Sequence, residues 1–432
     1  MNTPIHDFLK RYSESEFERC HMPGHKSVND PLCNLNVADD ITEIPGAIDI
    51  IKESERITAE LFGARRTLFS CSGSTLAISA MLFAVVAAHG DNRQKRITAM
   101  RGAHRSFVDA AILLGFDIDW VYPDVPVGDC IFPETIAVFV TSIDYYGNMC
   151  DIAVIAETCC KFELPLLVDN AHGTHLVFAD TRLHPIKCGA TMSVDSAHKT
   201  LPALTGAAYL HISHGEYQEK YIKTAEEGLA LFGTSSPSYL ILNSLDLCNN
   251  HIAEYKKSKP PAFAAVARLK EELSKLGYTL SGDDLLRVTI DANAYGYSGA
   301  DYAKELRNRK IICEMYDSQY VILLFSTITQ NKNTQRVFEA MSDILKREPL
   351  VVKTTGKLLY RLEKRLSPRQ AYFSPKQSVP VSDSVGGICG GIHVIIPPCA
   401  PVVIPGEVIT KEAASLLKSA GIAKIDVVEI MQ

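Results

Sequence analysis

Lys199 stands in the stretch SVDSAHKTLPALTG (193–206), between a histidine and a threonine and ahead of a run of apolar and small residues. The nearest acid in the stretch is Asp195, four positions back. An exposed lysine usually keeps polar company. A buried ammonium is costly and tends to lose its proton, and a neutral lysine amine is a good nucleophile toward a carbonyl. A lysine at a loop tip is the plain alternative, so other residues have to decide.

Three further stretches carry groups that could act with it. CSGST (71–75) follows a strand-like run and opens a helix; its free N–H groups, with Ser74 and Thr75, could hold an anion or could simply cap the helix. It lacks the pattern of a nucleotide-binding P-loop. RGAH (101–104) puts His104 just past another strand, where it could stack on a planar ligand or cap the next helix. LPLLVDNAHGTH (164–175) ends an apolar strand on Asp169, with His172 and His175 close behind. A carboxylate at that point either holds a turn or faces a cation in a cleft. An anion cradle, a stacking histidine, an acid for a pyridinium nitrogen and a Schiff-base lysine are together the parts of a pyridoxal-phosphate site. Asp169 would keep the ring nitrogen protonated, and Lys199 would hold the cofactor covalently until a substrate amine displaces it.

The elements needed to position these groups are legible nearby. Strand-like runs at 67–70, 96–100, 117–123, 136–142, 164–169, 191–195 and 206–212 alternate with helical patterns at 76–88, 106–115 and 151–162. Alternation with continuous apolar strands predicts a mostly parallel sheet with helices on both faces, and ligands at the carboxyl ends of its strands. Two long helices follow after residue 237. A smaller α/β unit is expected from the strand-like runs at 287–296 and 320–326, with helices near 300–309 and 334–346. The proline-rich run VIIPPCAPVVIPGE (394–407) predicts extended chain.

A chain of 432 residues with 47% hydrophobic and 22% charged residues predicts a soluble protein of two or three domains. Its net charge of −6, without a long basic run, argues against nucleic acid and anionic membranes as partners. The amino-terminal stretch has no secretory pattern, and the longest apolar run, 76–88, is shorter than a bilayer span. Twelve cysteines without C-x-x-C predict reduced thiols and a cytoplasmic location. Thirteen histidines without H-E-x-x-H spacing give no reason to expect a metal.

Eight segments in order resemble the ornithine/lysine/arginine decarboxylases, in their short form, across nearly the whole chain. They are HMPGHK (21–26), DITEIPG (40–46), SGST (72–75), YYG (145–147), VDNAHGTHL (168–176), SAHKTLPALTG (196–206), TSSPSY (234–239) and PPCAP…PGE (397–407). The resemblance implies the aspartate aminotransferase fold, fold type I: an amino-terminal arm (1–45), a large cofactor-binding α/β domain (46–260), a small α/β domain (261–350) and a carboxy-terminal domain (351–432). It implies no amino-terminal wing domain of the kind long members carry. Lys199 would carry the cofactor, Asp169 would pair with its ring nitrogen and His104 would stack on the ring. Ser74, Thr75, Ser196 and His198 would bind or adjoin the phosphate, Ala171 would pack on the ring, and His172 would lie near it. Thr234, Ser235 or Ser236 would reach the partner subunit's phosphate in a homodimer with composite sites.

The implied reaction is decarboxylation of lysine, arginine or ornithine to an amine, with Lys199 or His198 returning a proton to Cα. Asp144 and Glu407 are the expected partners of the substrate's distal cation. An aminotransferase or another lyase of the same fold is the alternative, and a non-catalytic cofactor-binding regulator a more distant one. Four residues or motifs depart from the family pattern: Cys399 in place of a glycine, Asp144 before YYG, Asn170 after the aspartate, and RGAH in place of R-N-x-H. None removes a catalytic group; Cys399 and Asp144 bear on which substrate is taken.

Overall fold

Apolar runs bounded by turn residues form the strands of the main sheet. They are β1 (Arg66–Ser70), β2 (Arg96–Met100), β3 (Asp117–Val121), β4 (Thr135–Thr141), β5 (Leu166–Asp169), β6 (Met192–Asp195) and β7 (Ala208–Ile212). The computed structural model describes residues 2–14, 47–90, 95–179, 183–215, 218–350, 361–395 and 400–429. The segments HMPGHK and DITEIPG and the residue Cys399 lie outside these described residues. The strand order is β1-β7-β6-β5-β4-β2-β3. β7 runs antiparallel to both of its neighbours, and the other pairings are parallel. The parallel strands β4, β5 and β6 are buried almost throughout, as a sheet covered on both faces requires.

The covering helices are α1 (Pro4–Ser13), α2 (Ala47–Phe62), α3 (Gly73–Ala88), α4 (Arg105–Leu114), α5 (Ile152–Lys161), the single turn α6 (Ala197–Thr200), α7 (Gln218–Phe232), α8 (Tyr239–Tyr255) and α9 (Pro261–Lys275). One face packs α3, α4 and α7 against Ile97, Phe139, Met192 and Leu210. The other packs α1, α2 and α8 around Phe62, Phe69 and Tyr209. Each fully buried aliphatic or aromatic side chain contributes about 1.5–3 kcal/mol by leaving water. α7 approaches α3 closely at Gly228, where a Cβ would meet Phe83 at 3.0 Å and the Ala80 backbone at 3.1 Å. A bulkier residue at Gly228 would push the two helices apart.

A second, antiparallel sheet is built from β8 (Leu280–Ser281), β9 (Arg287–Asp291), β10 (Met315–Tyr316) and β11 (Tyr320–Leu324), ordered β10-β11-β9-β8. It shares a core with α9, α10 (Gly299–Asn308) and α11 (Asn331–Ser342). β9 is shorter than the strand-like run at 287–296, because the Ala294 amide donates to the Asp291 carboxylate and starts a turn. α11 begins three residues earlier than its apolar pattern, on a capping box between Gln330 and Asn333. The carboxy-terminal unit contains α12 (Pro368–Phe373), β12 (Lys376–Pro380), β13 (His393–Ile395), β14 (Ala400–Val403), α13 (Lys411–Ser419) and β15 (Lys424–Val428). Two-stranded pairings join β12 to β15 and β13 to β14. Among the described residues, no helix is long and apolar enough to cross a membrane.

Candidate active site

The strand order places four carboxyl ends side by side. Lys199 follows β6, Asp169 ends β5, Tyr145 follows β4 and His104 follows β2, and these strands are consecutive neighbours in the sheet. Lys199 sits on the short α6. Its Nζ lies 3.0 Å from His172 Nε2 and 5.6 Å from the centre of the Tyr145 ring. The Tyr145 ring meets His172 edge-on, with centroids 4.5 Å apart.

Asp169 is buried, and its Oδ1 accepts from the Ala171 amide at 3.0 Å, which leaves acceptor capacity on the carboxylate. The next residues form a tight turn. The Asn170 Nδ2 donates to Asp195 at 3.0 Å, and its Oδ1 accepts from Ser142 Oγ. Gly173 lets the chain pass: a Cβ there would lie 2.1 Å from Asn170 Oδ1. Asn170, a departure from the family pattern, thus ties the ends of β4, β5 and β6 together.

His104 caps α4, with Nδ1 accepting from the Ser106 amide at 3.2 Å. Burial lowers its pKa, against a counter-pull from Asp169. It is therefore a neutral ring beside the Asp169 carboxylate. His198 Nδ1 lies 2.9 Å from the Ala207 carbonyl, to which it donates, and burial keeps this ring neutral too.

The opening of α3 is the stretch that the sequence predicts as an anion cradle. Ser72, its N-cap, makes no side-chain cap bond, and Ser74 and Thr75 stand in the first turn. Gly73 adopts a φ of 73°, and a Cβ there would meet nothing within 4 Å, so the turn faces open space. Its N–H donates to the Gly206 carbonyl at 2.8 Å, which ties the cradle to the chain leaving the lysine turn. Ser196 Oγ is buried with no hydrogen-bond partner among the described residues. A buried hydroxyl left that way has hydrogen-bonding capacity to spare for a bound group. These features fit a phosphorylated aromatic aldehyde: an anion at α3, a flat ring between His104 and Ala171, and an acid and an amine within reach.

Other expected site residues fall elsewhere. Thr234, Ser235 and Ser236 lie on an exposed loop ahead of α8, and Ser236 N donates to Thr234 Oγ1 at 3.1 Å. Among the described residues, no hydrogen bond or ion pair joins them to Lys199 within one chain. Glu407 does not face the site. It is buried and bound by Arg101, by Trp120 Nε1 at 3.0 Å and by the Ile404 amide at 2.9 Å. The expectation that it binds substrate is corrected here: its carboxylate is already occupied by a clamp that fastens the carboxy-terminal unit to the end of β2. Asp144 also has a local task, accepting from the Tyr146 and Asn148 amides at 2.8 and 3.0 Å and from Asn148 Nδ2 at 2.7 Å. That Asx turn replaces the expected substrate contact.

Sequence reasoning missed two residues that the small sheet brings in. Arg287, at the start of β9, donates to His172 Nδ1 at 2.7 Å. Glu314 lines an open cleft of about 500 Å³ with Lys199, Phe325, Ser326 and Thr329. Its carboxylate makes no hydrogen bond or ion pair to another described residue. Local sequence carried no signal for either, because both reach the site from another sheet. Spacing also hid a buried group behind the site, where Asp195 Oδ2 lies 2.9 Å from His184 Nε2 and 3.9 Å from His211 Nε2.

A mostly parallel α/β sheet with a lysine, an acid and a histidine at neighbouring strand ends is the architecture of fold type I, the fold of pyridoxal-phosphate enzymes. Solved structures bear out the fold. The Francisella novicida lysine decarboxylase LdcF superposes with a TM-score of 0.76 at 16% identity, covering 99% of this chain and 81% of that one. The constitutive lysine decarboxylase of E. coli gives 0.75 at 16% identity, covering 99% and 82%. Residues 132–272 match the family model described as Orn/Lys/Arg decarboxylase, major domain. The arginine decarboxylase of Bacillus subtilis is 26% identical over 96% of this chain and 93% of its own length. That of Halalkalibacterium halodurans is 25% identical over 96% and 93%. These matches support the Orn/Lys/Arg decarboxylase family and, with it, a pyridoxal-phosphate-dependent decarboxylase.

Proposed function

We propose that this chain decarboxylates a basic amino acid, with pyridoxal 5′-phosphate carried on Lys199. The observation that carries the reading is the convergence of Lys199, His172, Asp169 and His104 at neighbouring strand ends beside the open cradle of α3. Pyridoxal phosphate, when bound, supplies an electron sink for the pair left on Cα as carbon dioxide departs. Asp169 pairs with the ring nitrogen, and His104 and Ala171 hold the ring's two faces. The α3 amides, Ser74, Thr75, Ser196 and His198 hold the phosphate. Lys199 Nζ, with His198 as the second candidate, delivers the proton to Cα.

Glu314 takes the place first given to Asp144 and Glu407. An exposed carboxylate across the cleft from Lys199 suits the distal ammonium or guanidinium of a lysine, ornithine or arginine side chain. The chemistry also favours decarboxylation over amino transfer. A transaminase grips the substrate carboxylate with an arginine. Here Arg287, which shares His172 with the lysine, is engaged by His172, the Asp144 carbonyl and Asp284. A carboxylate left ungripped is free to leave.

The product is a diamine or a guanidino-amine, which places the enzyme in polyamine formation. The exposed Thr234–Ser236 loop is read as reaching a partner subunit, which gives a homodimer with composite sites. Free thiols at every described cysteine support a cytoplasmic location. The deciding experiment offers arginine, lysine and ornithine to the holoenzyme, with carbon dioxide and amine products identified by mass spectrometry. Stoichiometric carbon dioxide and amine are expected from at least one. A keto acid without carbon dioxide would establish amino transfer instead.

A further inference from the structure

The His172 ring lies between two cations of different kinds. Arg287 Nη2 is 2.7 Å from Nδ1, and Lys199 Nζ is 3.0 Å from Nε2. A guanidinium can only donate, so Nδ1 must be the accepting nitrogen. The ring is neutral, because burial first, and also the adjoining Arg287 guanidinium, disfavour its protonation. Its one hydrogen therefore sits on Nε2 and points at Lys199. An ammonium, which also only donates, would meet that N–H head on; a neutral amine would accept from it.

We propose that Arg287 is a positioning residue for Lys199: by fixing the His172 tautomer it directs an N–H at Nζ and, in the apoprotein, holds the lysine as a neutral, lone-pair-bearing amine ready to take the cofactor. This rests on Lys199 being the cofactor-bearing residue. Beyond His172, Arg287 is held from two sides, and one of its holders, Asp284, is itself anchored. Arg287 Nη1 bonds the Asp144 carbonyl, Nε lies 3.6 Å from Asp284 Oδ2, and Asp284 Oδ1 lies 2.8 Å from His175 Nε2. The side chain is 2% exposed, so its donors cannot turn to water.

The other charged and titratable groups around Lys199 come from every neighbouring element. Tyr145 faces it from the turn after β4, Asp169 from β5 and His104 from the end of β2. His198 is its chain neighbour, and Glu314 shares its cleft from the small sheet. Asp169 and Glu314 favour an ammonium, while Arg287 disfavours it by charge and, through His172, by geometry. The fixed N–H is what separates this arrangement from a simple balance of charges. It also makes the small sheet a part of the lysine's chemistry, since Arg287 belongs to β9.

The test uses the full-length apoprotein, so it does not depend on turnover. Lysines are trace-labelled with acetic anhydride between pH 6 and 11, and peptides are read by mass spectrometry with the exposed Lys257 as internal reference. Lys199 is expected to label at least tenfold faster relative to Lys257 at pH 8 than Lys257's own titration allows. Arg287→Met and His172→Phe should each abolish that advantage, and the double variant should add nothing further. Unchanged labelling in folded His172→Phe would overturn the proposal, whatever Arg287→Met does, because a field acting through space survives loss of the ring. Should Arg287→Met fail to fold, ¹⁵N-histidine spectra of the wild-type apoprotein decide. A bare, accepting Nδ1 on His172 is expected, and an Nδ1–H would overturn the proposal. Failure of the function itself reads differently: borohydride reduction of the holoenzyme would then leave the cofactor on a lysine other than Lys199.

Discussion

Arg101 and Glu407 are 306 positions apart and form a buried ion pair, with side chains 3% and 2% exposed. Arg101 lies three residues before His104 in the chain, so the carboxy-terminal unit braces the turn that carries this histidine. Trp120 completes the brace, with its ring 4.8 Å from the Arg101 guanidinium and its N–H on Glu407. Glu407→Ala leaves a buried guanidinium uncompensated, which costs about 3–5 kcal/mol. A lowered urea midpoint with a near-normal KM in the surviving enzyme is the expected outcome. A raised KM at unchanged stability would return Glu407 to the substrate pocket.

Asp169→Asn keeps an oxygen for the Ala171 amide, so the turn should survive and the holoenzyme should stay yellow. Turnover should fall by about 100-fold or more, the scale typical of removing a preorganised electrostatic stabiliser. Near-normal turnover in the folded variant would remove Asp169 from the chemistry.

Glu314→Gln keeps the shape of the cleft but removes its charge. A charge-assisted hydrogen bond is worth about 1.5–3 kcal/mol, so KM for the preferred basic amino acid should rise roughly ten- to a hundredfold. An equal loss for norleucine, which lacks the distal cation, would show that Glu314 does not read it.

Asp284 sets a pH dependence of stability. Burial opposes its ionisation, but His175 and Arg287 outweigh burial and hold its pKa at about 2, below the ordinary 3.8. Its folded pKa is depressed, so the native state binds fewer protons than the unfolded chain between those values. The stabilisation is present in full above the unfolded pKa and is lost as pH falls through about 2. Urea midpoints of wild type and Asp284→Asn should differ most above pH 4 and converge below it. A gap that stays constant down to pH 2 would contradict this.

Composite sites are tested by mixing two inactive variants, Lys199→Ala and a triple alanine at Thr234, Ser235 and Ser236. Random subunit exchange should restore roughly a quarter of wild-type activity, since half the dimers are mixed and each regains one intact site of two. No recovery after proven exchange would mean that each site is built from a single chain.

What could be read from the sequence was local. Lys199, Asp169 and His104 each sit within a few residues of a strand end, and the apolar runs of β4, β5 and β6 mark those ends directly. α7 went unrecognised because its charged face and Gly228 blur the apolar period, and the glycine makes sense only against Ala80 of α3. Arg287, Glu314 and the Arg101–Glu407 clamp were invisible for another reason. Each depends on a contact between elements far apart in the chain, and a lone arginine or glutamate in a strand-like run looks like any solvated charge. Glu407 shows the hazard in the other direction, since its position in a recognisable motif suggested a pocket where the fold has a fastening.

The place of β7 bears on how the chain is made. β1 pairs only with β7, so the first strand to leave the ribosome stays without a neighbour until residues 208–212 have followed. Pairings so distant in the chain are slow to close. The Gly73–Gly206 hydrogen bond closes in the same step, and with it the turn proposed to seat the phosphate. A nascent chain short of that point can carry Asp169 and Lys199 and still have nowhere to dock a cofactor. On the proposed function, docking of the coenzyme waits on the arrival of one antiparallel strand.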